Sequence, residues 1–154
     1  MRYTKLMLIL LGFAAALLAA DPFTGTWKMN AAKTKFKAGA APKEQAVVIS
    51  EAGNDFNVKV TGVAADGSPI SMAYTMPQGA GPGKITKGGG SYDGISGKRI
   101  GPNEREVTYT KGGKTVYTTH SKLAANGDSL MVSAKGVNSL GKSVDGTVAY
   151  EKVK

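Results

Sequence analysis

The chain has 154 residues and a formal net charge of +9, with no cysteine and a single histidine. The missing cysteine excludes disulfides, thiol catalysis and thiolate metal sites, and one histidine does not supply a usual zinc site. The lysines are spread along the chain, so the positive charge is typical of a soluble protein or of weak contact with an anionic envelope surface.

The first twenty residues have the layout of a secretory signal peptide. Basic residues precede an uncharged apolar run from Leu6 to Leu18, and small residues follow before Asp21. The run is shorter than the roughly 20 apolar residues of a membrane helix. We therefore expect residues 1–20 to be a signal peptide and residues 21–154 to be one exported domain, periplasmic or extracellular. Nucleic acid is not an expected partner in those compartments.

Hydrophobic alternation predicts a chain of β-strands after the signal. The first strand contains Phe23, Trp27 and Met29. Further strands are marked by apolar residues at every second position, in chain order Phe56, Val58 and Val60; Ile70, Met72, Tyr74 and Met76; Val107 and Tyr109; Leu130 and Val132; and Val144, Val148 and Tyr150. A period of two places each of these sets on one face of its strand.

Turn signals separate the strands about every ten residues. The dipeptides Asp66-Gly67, Gly112-Gly113 and Asn126-Gly127 are typical of hairpins. One short helical turn is predicted between Asn30 and Phe36. The pattern predicts an all-β protein, folded as a single up-and-down antiparallel barrel of about eight to ten strands.

The segment from residue 79 to residue 97 differs from the rest because it is rich in glycine. Glycine loses more conformational freedom on folding than any other residue, so a long regular strand is not expected here. The segment predicts a loop, a short edge strand and then a strand from about Ser91 to Ile100.

The stretch GVNSLGKS, Gly136 to Ser143, fits the phosphate-loop pattern of nucleotide hydrolases. A weak internal repeat relates it to the segment that begins at Gly62, which is predicted as strand, turn and strand. A phosphate loop also needs a helix after its lysine, whereas a strand is predicted here. The sequence therefore predicts a hairpin turn and no nucleotide binding.

Two short motifs carry a family resemblance. The start DPFTGTWKMN, residues 21–30, resembles the calycins, which are the lipocalins and fatty-acid-binding proteins and carry Gly-x-Trp on their first strand. The end VAYEKVK, residues 148–154, looks like the last strand of fatty-acid-binding proteins. The whole exported part is similar to small lipocalin-like proteins of bacteria. The resemblance implies a barrel closed at its base by Trp27 beneath an arginine. Arg105 or Arg99 can be that arginine, through stacking and cation–π attraction, and Arg105 is preferred because it shares a strand face with Val107 and Tyr109.

The chain departs from the fatty-acid-binding pattern at two places. Those proteins hold a ligand carboxylate with Arg-x-Tyr on the last strand, and here the motif reads Val148-Ala149-Tyr150. Residues 31–43 are also too short and too rich in Gly and Pro for a lid of two helices. Binding of a fatty acid in the manner of that family is not expected.

The candidate ligand wall of the barrel consists of Met72, Tyr74, Met76, Tyr109 and Tyr150. Methionine adapts to varied apolar shapes, and tyrosine adds a hydroxyl to an apolar space.

Two functions remain open. One is a monomeric exported barrel that binds a small apolar or amphipathic ligand in its lumen. The other is a structural or cell-envelope interaction protein whose barrel is filled by its own side chains.

Enzyme activity is not expected. His120 and Ser121 are neighbours on one strand, so they point to opposite faces and cannot pair directly. No pair of carboxylates stands out as an acid and base couple. The sequence therefore predicts no catalytic residue, no metal and no cofactor.

Overall fold

The computed structural model describes residues 19–154, so the predicted signal peptide lies outside the described residues except for Ala19 and Ala20. Within them, one 3-10 turn, η1 (Ala31–Lys33), accompanies twelve strands. These are β1 (Gly25–Met29), β2 (Lys35–Ala38), β3 (Glu44–Ala52), β4 (Asp55–Val63), β5 (Pro69–Pro77), β6 (Ala80–Pro82), β7 (Lys84–Lys87), β8 (Gly94–Gly101), β9 (Glu104–Lys111), β10 (Lys114–Leu123), β11 (Ser129–Val137) and β12 (Ser143–Lys152). The all-β prediction is confirmed.

The strands form one antiparallel sheet that curls into a nearly closed barrel. Strands β3, β4 and β5 pair in sequence, as do β8 through β12. The first strand closes the sheet, because β1 pairs with β3 on one side and with the last strand, β12, on the other. The predicted antiparallel barrel is therefore confirmed.

The barrel has one seam, between the edge that contains β5 and β7 and the edge that contains β6 and β8. Strand β6 pairs with β8, and β7 pairs with β5, so the chain crosses between the two edges. The Gly83 amide donates to the Ile95 carbonyl at 2.9 Å and ties the crossing segment to β8. The sheet is nearly closed rather than continuous around the whole circumference.

The structure has twelve strands where about eight to ten are expected. The glycine-rich segment contains two short strands, β6 and β7, where one is predicted, and β2 lies in a segment without hydrophobic alternation. Strand β2 pairs with β12, where Phe36 lies opposite Gly146. A Cβ at position 146 would lie only 2.5 Å from the Phe36 ring. This pairing depends on a contact between residues far apart in the sequence, so local periodicity does not predict it.

The GVNSLGKS segment forms the hairpin turn between β11 and β12, as predicted. The Asn138 amide donates to the Lys142 carbonyl, and the Gly141 amide donates to the Asn138 carbonyl, both at 2.9 Å. The turn between β4 and β5 repeats the pattern, with Ala64 donating to Ser68 and Gly67 donating to Ala64. Strand β12 begins at Ser143, so no helix follows the lysine to receive a phosphate.

The barrel has two distinct ends. We call the end with the β4–β5, β9–β10 and β11–β12 turns the mouth, and the end with the β3–β4, β8–β9 and β10–β11 turns the base. The large side chains that are fully buried are Phe23, Trp27 and Phe56. Phe56 follows a base turn, and Phe23 and Trp27 contact each other through a hydrogen bond, so these aromatic rings fill the base. No helix among residues 19–154 has the length and apolar character that a membrane crossing requires.

Candidate ligand-binding lumen

A cavity of about 190 Å³ occupies the barrel between the aromatic base and the mouth. It is larger than the roughly 150 Å³ engineered apolar cavity that binds benzene. Its wall consists of side chains that strand alternation points inward, mostly valine, isoleucine, leucine and tyrosine. Tyrosines are the sole ionisable side chains among the described residues that line it. We call this cavity the lumen.

Four of the five candidate wall residues line the lumen. These are Met72, Tyr74, Tyr109 and Tyr150. The fifth, Met76, is buried below it at the base, where its sulfur lies 3.4 Å from Nη2 of Arg105. The period of two correctly assigns Met76 to the inner face, but the lumen ends one residue pair above it.

The tyrosines of the lumen form one aromatic cluster. The Tyr109 ring lies 6.2 Å from Tyr74 in an edge-to-face arrangement, and its centroid lies 4.8 Å from Tyr92 and 5.3 Å from Tyr117. On the other side of the lumen, the Tyr150 hydroxyl donates to Oε1 of Gln45. The wall therefore combines apolar surface with hydroxyl groups that can donate and accept hydrogen bonds.

Sequence reasoning missed Tyr92 and Tyr117 as lumen residues. On strand β10 the inward positions after Tyr117 are the polar residues Thr119 and Ser121, so hydrophobic alternation does not mark this strand. Tyr92 lies in the glycine-rich connection before β8, where no periodic pattern exists. An aromatic residue inside a run of glycines was the one signal available for Tyr92.

Tyr92 and the glycines before it cover part of the mouth. The Tyr92 hydroxyl donates to the Val137 carbonyl at 2.8 Å, which fixes the ring against the start of the β11–β12 turn. Gly90 has a φ of +57°, and a Cβ there would lie 2.0 Å from the Ser139 carbonyl oxygen. Because only glycine fits this contact, the glycine-rich segment can close against the opposite turn.

Burial raises the pKa of every tyrosine in the described residues. For Tyr117 the pKa is raised to about 12, mainly by loss of solvation and then by the neighbouring Tyr74. Loss of solvation also raises the pKa of Tyr74, Tyr92, Tyr109 and Tyr150. An ionised phenolate is disfavoured inside an apolar wall, so these hydroxyls remain neutral donors at physiological pH.

A tyrosine titration tests this wall directly. In a Tyr3→Phe background, which removes the one tyrosine outside the described residues, we expect no phenolate absorbance near 295 nm at pH 10.5 while the protein stays folded. The raised pKa values make stability fully present below about pH 10, the usual tyrosine pKa, and lost as pH rises through the folded-state values. Phenolate absorbance should therefore rise together with loss of β-sheet circular dichroism. A hyperbolic titration near pH 10 in folded protein would contradict a buried tyrosine wall.

The base of the barrel differs from the expected Trp27–Arg105 stack. The ammonium group of Lys152 lies 5.2 Å from the Trp27 ring centroid, and the Trp27 indole N–H donates to the Phe23 carbonyl at 2.9 Å. The Arg105 guanidinium lies over Phe56 instead, at 5.0 Å. Lys152, and not Arg105, is the cation near Trp27 because it lies directly opposite Trp27 on β12.

Arg105 is nevertheless a buried part of the base. Its guanidinium donates to the Pro77 carbonyl at 2.9 Å and to the Gln78 carbonyl, at the point where β5 turns toward β6. Burial and then the nearby Arg99 lower its pKa. Arg99 itself pairs with Asp21 and lies over the Phe23 ring at 5.5 Å. The two arginines thus hold the seam and the N-terminal segment onto the base.

The structure separates His120 from Ser121, in agreement with the alternation of their strand. Ser121 lines the lumen. His120 is half-buried on the outer wall, where its Nε2 lies 3.1 Å from Oε2 of Glu104. Hydrogen bonds from Lys122 and His120 lower the pKa of Glu104. Within residues 19–154, no group of three or more potential metal ligands lies together.

The fold and the site define the class of this protein as a nearly closed antiparallel β-barrel with an apolar, tyrosine-lined lumen. No family model and no curated protein matches the sequence. Among solved structures, the chain is similar to a redesigned β-barrel with 12% sequence identity and a TM-score of 0.48, over 86% of this chain and 93% of that chain.

Proposed function

We propose that this protein is a calycin-like carrier, exported and monomeric, that binds a small apolar or amphipathic molecule in its lumen without catalysing a reaction. The observation that carries the proposal is the cavity of about 190 Å³, which is open toward the mouth and has an apolar wall. A concave apolar site with a few polar groups is the usual form of a small-molecule site.

The polar groups of the lumen wall are uncharged, so they suit a ligand whose buried part is also uncharged. The hydroxyl groups of Tyr74, Tyr109 and Tyr150 can form hydrogen bonds, whereas neither arginine of residues 19–154 lines the lumen. The position that carries the carboxylate-binding arginine of fatty-acid-binding proteins is Val148, which is buried. The ligand is therefore held mainly by apolar contact, at roughly 25 cal/mol for each Å² of surface removed from water.

The alternative is a barrel filled by its own side chains, and one substitution separates the two. Met72 lines the lumen, whereas Met131 lies on the outer wall of β11 and is 42% exposed. Met72→Trp adds an indole ring inside the lumen, and Met131→Trp adds the same ring to the outer wall. N-phenyl-1-naphthylamine, a neutral apolar fluorescent probe, reports binding, and urea unfolding reports stability.

For an open lumen, we expect saturable probe binding by the unmodified protein and by Met131→Trp. Met72→Trp should weaken that binding at least tenfold while its urea midpoint stays near the original, because the indole enters empty space. For a filled barrel, the unmodified protein binds no probe, and Met72→Trp loses about 1–3 kcal/mol through overpacking. That second result would overturn the proposed function.

A further inference from the structure

The mouth of the barrel carries a group of exposed lysines. Six exposed lysines lie in or beside the mouth turns and loops, namely Lys37, Lys43, Lys87, Lys111, Lys114 and Lys142. We call them the rim lysines. Within the described residues, none of the rim lysines lies within 4 Å of a carboxylate, and the lysines that do form ion pairs are Lys33, Lys122, Lys135 and Lys154.

The carboxylates near the mouth are mostly engaged by other groups. Asp66 accepts a hydrogen bond from the Ser68 amide at 2.9 Å, and Asp93 accepts one from the Gly112 amide at 2.6 Å. Asp145 lies 3.9 Å from Lys135. Glu44 follows Lys43 in the chain. The amide hydrogen bonds leave the charges of Asp66 and Asp93 in place, and the Asp66 carboxylate also interacts electrostatically with Lys142. Counting Lys135, seven lysines face four carboxylates, so the mouth keeps a net positive charge.

Three of the rim lysines adjoin residues that line the lumen. Lys37 follows Phe36, Lys43 follows Pro42, and Lys142 lies two residues after Leu140. Leu140 is 39% exposed, so the apolar surface of the lumen continues to the edge of the mouth. A ligand chain that leaves the lumen between these residues passes the loops that carry Lys43 and Lys142, whereas Lys37 points to the outer face of β2.

The lumen and the rim lysines therefore suit different parts of one ligand. A charged group is costly inside the lumen, because the ionisable side chains that the described part of the chain contributes to its lining are all neutral tyrosines. We propose that the ligand is an amphiphile with an anionic head group, which stays at the rim lysines while its apolar tail fills the lumen. This inference rests on the proposed function, and it adds the charge and the orientation of the ligand.

The test compares two ligands that differ only at the head. Decanoate and 1-decanol compete for N-phenyl-1-naphthylamine at pH 8, where the carboxylate is ionised. We expect decanoate to displace the probe at roughly fivefold lower concentration than decanol, because several exposed lysines act together on one charge although each contributes little. Added salt at about 1 M should remove the difference, since the Debye length then falls to roughly 3 Å.

A matched pair of triple variants locates the effect. Lys37→Gln, Lys43→Gln and Lys142→Gln together remove the rim charges beside the lumen. Lys28→Gln, Lys59→Gln and Lys98→Gln together remove the same charge from exposed sites on the strands. Both triple variants should bind the neutral probe as the unmodified protein does. Only the rim variant should lose the preference for decanoate over decanol.

The same head group can belong to a free molecule or to a bilayer, and co-sedimentation with phosphatidylglycerol vesicles distinguishes the two sources. Sedimentation that depends on the rim lysines, together with the decanoate preference, indicates uptake from a membrane surface. The preference without sedimentation indicates uptake of a free amphiphile. Equal displacement by decanoate and decanol overturns the inference and leaves the proposed function standing, whereas absence of probe binding overturns both.

Discussion

Trp27→Ala is expected to lower the free energy of unfolding by about 3–5 kcal/mol, the usual cost of removing a buried aromatic side chain. Trp27 is completely buried, and its indole N–H donates to the Phe23 carbonyl at 2.9 Å. The change therefore opens a cavity at the base and removes the donor for a buried carbonyl. Such a loss is a large part of the roughly 5–15 kcal/mol that stabilises a typical domain.

Urea unfolding followed by circular dichroism measures this loss. Trp27→Phe is the control, because it keeps most of the aromatic volume while it removes the indole N–H and part of the ring. We expect it to cost clearly less than the alanine variant. A loss below about 1 kcal/mol for Trp27→Ala, the level of an ordinary substitution, would show that the base is not closed by this residue.

Arg105→Met is expected to cost about 2–4 kcal/mol, because it leaves the Pro77 and Gln78 carbonyls without their donor while keeping an apolar stem over Phe56. Lys98→Met is the matched control on the neighbouring strand. Lys98 is exposed, so we expect a change within about 0.5 kcal/mol. Equal effects of the two substitutions on the urea midpoint would contradict a structural role for Arg105.

A double-mutant cycle tests which ring Arg105 contacts. With Phe56→Leu we expect a coupling energy of about 0.5–1 kcal/mol, since the guanidinium lies 5.0 Å from that ring centroid. The cycle between Arg105 and Trp27 should show a smaller coupling, because Lys152 is the cation over Trp27. A larger coupling to Trp27 than to Phe56 would restore the pairing expected from the sequence.

The strands with alternating hydrophobicity were predictable from the sequence because the pattern of burial is local. The row from Ile70 to Met76 points inward as the period of two requires, and the turns at Asp66-Gly67 and Asn126-Gly127 lie between the strands they were expected to join. The phosphate-loop pattern in GVNSLGKS is a turn, as predicted, because the strand pattern of β12 follows it.

The features that sequence reasoning missed depend on contacts between distant residues. Strand β2 exists because Phe36 packs opposite Gly146, more than a hundred positions away. The cation over Trp27 is set by the pairing of β1 with β12, which places Lys152 there. Tyr92 reaches the lumen through a glycine-rich segment that has no periodicity of its own. No property of these residues alone reports such partners.

The most direct test of the binding lumen is a methionine-methyl NMR titration with N-phenyl-1-naphthylamine. Met72 lines the lumen and Met131 is exposed on the outer wall, so the protein carries its own internal control. We expect the Met72 methyl signal to shift in proportion to a saturable complex of one probe per protein, while the Met131 signal stays in place. An unchanged Met72 signal at saturating probe, or a shift confined to Met131, would contradict binding in the lumen.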